Sequence, residues 1–566
     1  MARIRSIEIS NFRGVRHLLW WPSPGVNCLI GPGDSGKSTV LDAIDMCLGA
    51  RRSLTITDAD FHGLNVAEPI VIMATLGDLD DALRSMDSLG PYLRGYSDLF
   101  EEVEDEPGAD LETVLTVRLH IGADLEPVWS LFSVRAAAQG QARGLGWTDR
   151  VRLAPTRIGS GSEANLAWRR GSVLNRLADE QANASAALLQ AARDARTRFG
   201  EERVNQLATT LSIVDRTANA LGIPVGTGSQ ALLDAQSVSF SGGTISLHDG
   251  RGIPLRGLGT GSTRLLVAGL QREAASTASM VVIDELEHGL EPHRVIRLLG
   301  SLGAKEREPP LQVFATTHSP VVLRELSGDQ LFMVRHEAAG HRIRSVGIGD
   351  DAQSTIRAFP EAFLAARVIV CEGASEVGLL RGLDIHNARL GLPSLMARAA
   401  ALVDAGGEKN LYKRANAFRA LGYETLALRD ADVPPDPQDE ERFLASGGKT
   451  VTWRPGRALE DELFASLGDE TVLKLLERAI DLHGDDRVNA NIGSASKGTE
   501  SLASCRSGVT AERRAVLGQA ARGKKAGWFK SVTYMQDAVS DIVAPDLAGA
   551  EPEFRGLVDE VLNWAG

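Results

Sequence analysis

The sequence predicts an α/β chain of two successive α/β units, on three observations. A short apolar run, "GVNCLI", passes into the glycine-rich "GPGDSGKS" and then into "TVLDAIDMCLG", the pattern of strand, loop and helix. Far downstream, "SMVVIDELEHG" and "LQVFATTHSP" are apolar runs ending in polar clusters, as buried strands do when they deliver side chains to one end of a sheet. From "RVIVCEG" to about residue 455, apolar runs alternate with helical stretches, which marks the second unit.

Each element has its own pattern. "RIRSIEISNFRGVRH" alternates apolar and polar residues and reads as an opening strand with a turn. "PIVIMATL" and "VLTVRLHI" read as further strands. Between about 165 and 235 the texture becomes Ala/Leu/Arg/Glu-rich, as in "NASAALLQAARDARTRFGEERVNQLATTL", and predicts a helical insertion. "SVSFSGGTISLHDGRGIPLRGLG" returns to a hairpin, and the end of the chain is mostly helical.

At 566 residues the chain is long enough for two to four domains. Its 43% apolar and 24% charged content is that of a soluble globular protein. No apolar run reaches the roughly 18 residues of a membrane span, and the N-terminus carries no signal-peptide pattern. The expected location is the cytoplasm, with no membrane partner. Cys28, Cys47, Cys371 and Cys505 are scattered without a CxxC pair, against a zinc site or a disulfide framework. Cys371 lies beside candidate acids and reads as a buried strand thiol. The net charge of −13 disfavours non-specific nucleic-acid binding on average. Residues 501–530, however, hold seven Lys/Arg and one acid. That stretch suits either a track for a DNA backbone or a solvated helical face.

Gly31-Pro-Gly-Asp-Ser-Gly-Lys-Ser38 fits GxxxxGK[ST] between a strand and a helix. Gly31, Gly33, Ser35 and Gly36 let backbone N–H groups wrap phosphates. Lys37 supplies charge, Ser38 suits a Mg²⁺ ligand, and Thr39 completes the nucleotide-binding set. Asp284 ends the apolar run "MVVI" where it can hold the Mg²⁺ water shell, and Glu285 follows as the residue to activate an attacking water. His318 ends the next run and can sense a γ-phosphate.

A second constellation follows. Glu372 ends "RVIVC", Gly373 allows a tight turn, and Glu376 enters the first turn of the next helix. Asp430 and Asp432 end "ETLALR" as D-x-D. Ligands gather outside the carboxyl ends of parallel strands, so these four acids are expected to converge. Crowded carboxylates repel unless a cation neutralises them, and hard oxygen donors suit Mg²⁺ or Mn²⁺.

The first set of motifs resembles the ATP-binding-cassette heads of the SMC and RecF group. "NFRG" fits, and "LGTGSTR" stands at the signature position, contributing Gly259 and Gly261 to nucleotide binding. It departs from LSGGQ at Gly259 and Ser262. "HGLEP" stands for the D-loop with Glu291 in place of aspartate, and Asp60 is the nearest polar residue to a missing Q-loop glutamine. The resemblance implies ATP binding with one Mg²⁺ and a homodimer or homotetramer. The helical insertion would serve as the dimer interface or bury an amphipathic face within one chain.

The second set resembles the Toprim domain, and the head-plus-Toprim order resembles the OLD (overcoming lysogenisation defect) family across essentially the whole chain. The implied fold class is α/β, an ABC/SMC-like ATPase domain with a helical insertion followed by a C-terminal Toprim domain. The implied domains are residues 1–160 and 236–355, the insertion 161–235, and the Toprim domain 361–566. "RALEDELF" resembles a further metal-binding segment, with Glu460 first and Glu462 next. "GSASKGTE" and "GKKAGWFKS" resemble basic segments at the scissile phosphate, with Lys530 carried over as catalytic and Lys497 second. Asp404 in "ALVDAGG" is either metal-linked or a turn residue.

The activity implied is cleavage of DNA by two-metal phosphodiester hydrolysis, with Glu372, Asp430, Asp432 and Lys530 at the site. Tyr534 lacks the context of a topoisomerase nucleophile. "GWFKS" and the compact length resemble the subgroup that pairs with UvrD-like helicases, as the nuclease subunit of the Gabija anti-phage system does. The rival readings are an ATP-dependent DNA clamp of the RecF type and a strand-passage enzyme.

Overall fold

The computed structural model describes residues 2–159, 162–167, 172–177, 247–337, 340–523 and 527–566, apart from short gaps at 52, 85–88 and 277–278, and a few positions between 190 and 213. Most of the expected helical insertion, Lys524 and Lys525 lie outside the described residues. Contacts divide the chain into two compact units, Met1–Cys28 with Ser38–Thr317, and Leu29–Lys37 with His318–Gly566.

The first unit opens with β1 (Arg3–Phe12) and β2 (Val15–Trp20). β3 (Val26–Ile30) is buried along its length and leads through the glycine-rich loop into α1 (Lys37–Leu48). β1 pairs antiparallel with β4 (Ile70–Gly77), and β4 with β7 (Glu112–Ile121). On its other side β7 pairs with β5 (Leu93–Ser97) and β8 (Pro127–Phe132). β6 (Glu102–Glu104) and β9 (Arg143–Gly144) complete the sheet's edges. α1 lies on this sheet: Cys47 Sγ is 3.6 Å from the Ile72 carbonyl, and Trp129 Nε1 donates to Met46 O at 3.1 Å. β10 (Thr156–Ile158), β11 (Met280–Ile283) and β12 (Gln312–Thr316) run parallel. α2 (Thr260–Glu273) and α3 (Pro292–Ser301) flank them in the chain. β11 and β12 are buried throughout, as parallel strands covered on both faces must be.

The second unit carries a hairpin, β13 (Leu331–Glu337) with β14 (Gly340–Ser345), and then a four-stranded parallel sheet. Its strands are β15 (Arg367–Cys371), β16 (Ala400–Asp404), β17 (Glu424–Arg429) and β18 (Lys449–Thr452), in the order β16-β15-β17-β18. α4 (Ala374–Arg389) links β15 to β16, and α5 (Glu408–Ala420) links β16 back across to β17. The chain therefore reverses its direction of winding at β15, and a crevice opens outside the carboxyl ends of β15 and β17.

A helical layer follows: α6 (Leu459–Ser466), α7 (Asp469–His483), α8 (Ala511–Ala521), α9 (Val532–Ala538) and α10 (Pro552–Trp564). Its apolar residues, Leu463, Phe464, Trp528 and Met535 among them, join Ile369 and Leu428 of the sheet in one core. Among the described residues no helix is long and apolar enough to cross a membrane.

Candidate active site

β15 and β17 place the acids. The N–H of Glu372 donates to Leu428 O at 2.9 Å, and the N–H of Asp430 donates to Glu372 Oε2 at 3.0 Å. Glu372 and Asp430 thus face each other across adjacent strand ends. Glu376 reaches back to the N–H of Gly373 at 2.9 Å and closes the start of α4. Asp430 Oδ1 accepts the N–H of Leu459 at 3.0 Å and so caps α6. That places Glu460, fully buried, beside α4, where Ser375 Oγ donates to it at 2.8 Å. Lys530 closes the cluster, its Nζ 3.0 and 3.1 Å from the two oxygens of Glu460.

Charge governs the site. Burial, then the charges of Asp430 and Glu460, push the Glu376 carboxyl well above the ordinary range. Burial, then Glu460 and Glu372, push Asp430 from its ordinary 3.8 up to about 7. Burial and then the Asp432 charge raise Glu372 against the pull of the Asp430 N–H. Burial works against the Lys530 charge, but Glu460, Glu376 and Asp430 outweigh it and raise its pKa. The one ammonium acts on three of these acids, Glu460, Glu376 and Asp430, and the crowding favours protons on the carboxyl groups.

A pH dependence follows. The folded, metal-free site holds protons that the unfolded chain releases, so this cluster stabilises least near pH 7 and more as pH falls towards the unfolded values. The melting midpoint of the metal-free protein is expected to rise as pH is lowered from about 7.5 to about 5, and a divalent ion is expected to flatten that slope. A midpoint that falls over the same window would contradict the charge balance described.

Glu372, Asp430, Asp432 and Lys530 line a cleft of about 780 Å³, with Lys409, Gln519 and Arg522 also on its wall. Asp432 is exposed and lies 4.0 Å from Arg522, which pairs with Asp461 at 2.9 Å. The donor set is all oxygen and carries excess negative charge, so it fits a hard divalent cation. Among the described residues, however, no three acid, His or Cys side chains are gathered as a ready-made metal cage. The carboxylates are turned instead onto backbone N–H groups and Lys530.

Several other expected residues lie outside this cluster. Glu462, two positions past Glu460 on α6, is buried against Arg454 and Arg457 at 2.6 and 3.1 Å. Asp404 accepts the N–H of Gly406 at 2.8 Å, the contact of a turn residue. Lys497 is exposed in a turn at φ 55°. Tyr534 packs edge-on to His483 with ring centroids 6.0 Å apart. The Cys371 thiol is buried and pushed well up, first by burial and then by Glu376, so it is no nucleophile at neutral pH. In the basic stretch, Arg506 pairs with Glu477 at 2.7 Å, Arg513 with Glu500 at 3.1 Å, and Arg514 with Asp469. These arginines are committed to internal ion pairs. Ser375, Gln519 and Arg522 were not singled out by the sequence. Only the neighbourhood of Arg522 to the expected basic segment hinted at it.

The nucleotide motifs have their own geometry. Gly31 at φ 137° turns the loop where a Cβ would lie 2.7 Å from Val334 O. Lys37 Nζ donates to the carbonyls of Gly31 and Pro32 at 3.1 and 2.7 Å. Gly33 is exposed, Ser35 is buried within 3.3 Å of Lys37 Nζ, and Gly36 has φ 90°. Thr39 follows in the first turn of α1.

In the first unit, Ser38 Oγ and Thr316 Oγ1 both donate to Asp284 Oδ1, at 3.1 and 2.6 Å. Glu285 is exposed at φ 47°, and its carbonyl accepts from Arg264 at 2.6 Å. Gly261 packs so closely on the Gly289 carbonyl that a Cβ would lie 2.3 Å away, and Gly259 caps α2. Arg294 ties Glu291 and Ser262 together at 3.2 Å each. Asp60 pairs with Arg13 of "NFRG" at 2.9 Å. His318 is exposed just after β12.

A family model described as "AAA domain, putative AbiEii toxin, Type IV TA system" matches residues 26–324, more than half of the chain. The chain belongs to this AAA family. A second model, "Overcoming lysogenization defect protein-like, TOPRIM domain", matches residues 363–432, the segment from β15 to the D-x-D. This AAA protein therefore carries the pairing of ATPase and OLD-like TOPRIM domains that the resemblance implied. The two domains are those of an enzyme acting on DNA that uses a nucleotide and a divalent metal.

Curated relatives match over short stretches. DNA replication and repair protein RecF of Prosthecochloris aestuarii is 44% identical over 45 residues, 8% of this chain and 12% of RecF. RecF of Chlorobium limicola is 34% identical over 58 residues, 10% of this chain and 16% of RecF. The chain thus spans less than a fifth of these relatives' length. Among solved structures, an SMC head bound to the C-winged helix domain of ScpA aligns at TM-score 0.35 and 14% identity, over 62% of this chain and 99% of that one. The SMC head domain from Thermotoga maritima aligns at TM-score 0.30 and 15% identity, over 61% and 100%.

Proposed function

We propose that this AAA protein is a metal-dependent DNA endonuclease, cutting in the cleft of the second unit and binding ATP at the Gly31–Ser38 loop. One observation carries the reading: Glu372, Asp430, Asp432 and Lys530 share one cleft at adjacent parallel strand ends, above two buried acids. Glu372, Asp430 and Asp432 are the residues that would hold Mg²⁺ or Mn²⁺. The ion supplies Lewis acidity towards a phosphate oxygen and lowers the pKa of water. The chain's own groups do the rest. Lys530, 39% exposed, offers charge to an oxygen of the phosphodiester as it becomes more negative. Lys409 and Arg522 on the cleft wall orient flanking phosphates. Glu376 holds the start of α4 in place through Gly373.

For the nucleotide, Lys37 would exchange its loop carbonyls for phosphate oxygens, Ser38 and Asp284 are the residues that would hold Mg²⁺, and Glu285 would orient water. The reading extends to a homodimer or homotetramer acting in anti-phage defence, on the family resemblance. The test is supercoiled plasmid incubated with Mg²⁺ or Mn²⁺. Nicked or linear product is expected, and chelation should abolish it. Lys37→Ala is expected to lose ATP binding while its metal-dependent cleavage persists. Intact DNA binding without cleavage, whatever the divalent ion, would overturn the reading in favour of a clamp.

A further inference from the structure

A second cavity opens in the same unit, beside the acidic cleft. It measures about 770 Å³, within the roughly 300–1,000 Å³ of ligand sites. Gln519 at the end of α8 and Arg522 just past it stand on the walls of both. α6 and α8 both line it, and they approach so closely that a Cβ at Gly518 would lie 3.0 Å from Asp461 Cα. The lining residues of α8 are Ala511, Arg514, Ala515 and Gln519, which share one helical face. Ala511, Ala515 and Gln519 are exposed, so this face is open to solvent.

Charge decides what the cavity suits. Three arginines and two acids line it, and both acids are already engaged. Asp461 pairs with Arg522 at 2.9 Å, and Glu551 pairs with Arg454 at 2.6 Å. Arg514 donates to the carbonyls of Phe464 and Leu467 at 2.8 and 2.7 Å and holds the end of α6. Arg457 has charge to offer. Its partner Glu462 is fully buried and already takes two N–H groups from Arg454, at 2.6 and 2.9 Å. The Arg457 guanidinium, 36% exposed, is therefore the member of that group that meets the cavity. Arg522 stands where cavity and cleft adjoin. Planar guanidinium groups are suited to phosphate oxygens. We propose that this cavity holds the phosphodiester backbone of the DNA strand on one side of the cut, with Arg522 and then Arg457 as successive phosphate contacts. The inference rests on the nuclease reading and deepens it.

The open alanines of α8 give a test that spares the ion pairs. A longer side chain at Ala515 changes the charge of the cavity without removing a charged contact. Glutamate there repels a phosphate backbone and lysine attracts it, at similar size. Arg457→Gln removes one phosphate contact, while Glu462 keeps Arg454.

The experiment measures binding of a fluorescent DNA duplex to the full chain by anisotropy over a range of salt, with Mg²⁺ and in a Glu372→Gln background that slows cutting. Ala515→Glu is expected to weaken binding about 10-fold, and Ala515→Lys to leave it equal or tighter. Arg457→Gln should lower the slope of log affinity against log salt by about 1. Melting curves check that each variant folds. With Glu372 restored, cleavage is followed on duplexes trimmed towards the cut. Trimming from one end should erase the glutamate penalty, and trimming from the other should leave it. Equal loss in the glutamate and lysine variants, or no change in either, would overturn the proposal, and cutting by the parent would leave the nuclease reading standing. A penalty indifferent to trimming would overturn it too. Opposite effects of the two charges in a protein that never cuts would sink the nuclease reading and keep the cavity as a DNA site. A parent that binds no DNA and cuts none would overturn both.

Discussion

Glu372→Ala and Glu372→Gln are both expected to lower plasmid cleavage by roughly 10²–10³-fold, the scale of removing one preorganised charge-handling group from a site. They should differ in stability. Glu372 Oε2 is the acceptor for the Asp430 N–H at 3.0 Å, so it also fixes the end of β17. Alanine removes that acceptor and leaves a part-buried donor without its bond, which costs about 1–3 kcal/mol. Glutamine keeps a carbonyl oxygen in the same place and removes only the charge. Its pKa is raised by burial and then by Asp432, so the charged form is the disfavoured one without metal. The glutamine variant should therefore melt at or above the parent when metal-free, and gain less from Mg²⁺. The alanine variant should melt lower in both conditions. Measuring melting midpoints with and without Mg²⁺ beside cleavage separates the two roles. A glutamine variant that cleaves like the parent would remove Glu372 from the site.

The placement of Glu372 and Asp430 was legible because two signals agree. Each ends a run of buried β-formers, and parallel strands gather their ends on one side. The nucleotide loop was legible for a similar reason, since glycine spacing and a following helix define it. The orientation of each acid was not legible. Glu460 and Glu462 are two apart on α6, about 200° around the helix, so they face opposite surroundings. Which one meets Lys530 depends on how Leu459 is capped by Asp430, a contact across 29 residues. Arg454 and Arg457 shortly before Glu462 were the available hint, since a buried acid with two arginines nearby is already paired. The basic stretch misleads for the converse reason. Its arginines find Glu477, Glu500 and Asp469, partners that local charge counting does not see.

Gly378→Ala is expected to destabilise the second unit and to slow cleavage, although residue 378 touches no acid of the site. In an ordinary helix the change would help, because alanine is favoured over glycine by about 1 kcal/mol. Here α4 lies against α9. A Cβ at 378 would lie 2.6 Å from Met535 Cβ and 2.8 Å from Val532 O, and one at Gly382 would lie 2.6 Å from Gln536 O. For residue 378 one obstacle, Val532 O, is backbone and the other, Met535 Cβ, is bonded to the backbone, so α9 itself must move. Overpacking of this kind costs about 1–3 kcal/mol, which exceeds the propensity gain. Lys530 is two residues before the start of α9, and its ammonium sits within 3.1 Å of Glu460. A shift of α9 therefore carries the lysine away from the cluster, and misplacement by about 1 Å can cost up to 10²-fold in rate. Gly556→Ala, at an exposed position of α10 with open space around it, is the control: it should gain about 0.5–1 kcal/mol and cleave as the parent does. If Gly378→Ala melts above the parent and cleaves normally, the close contact of α4 with α9 does not hold Lys530 in place.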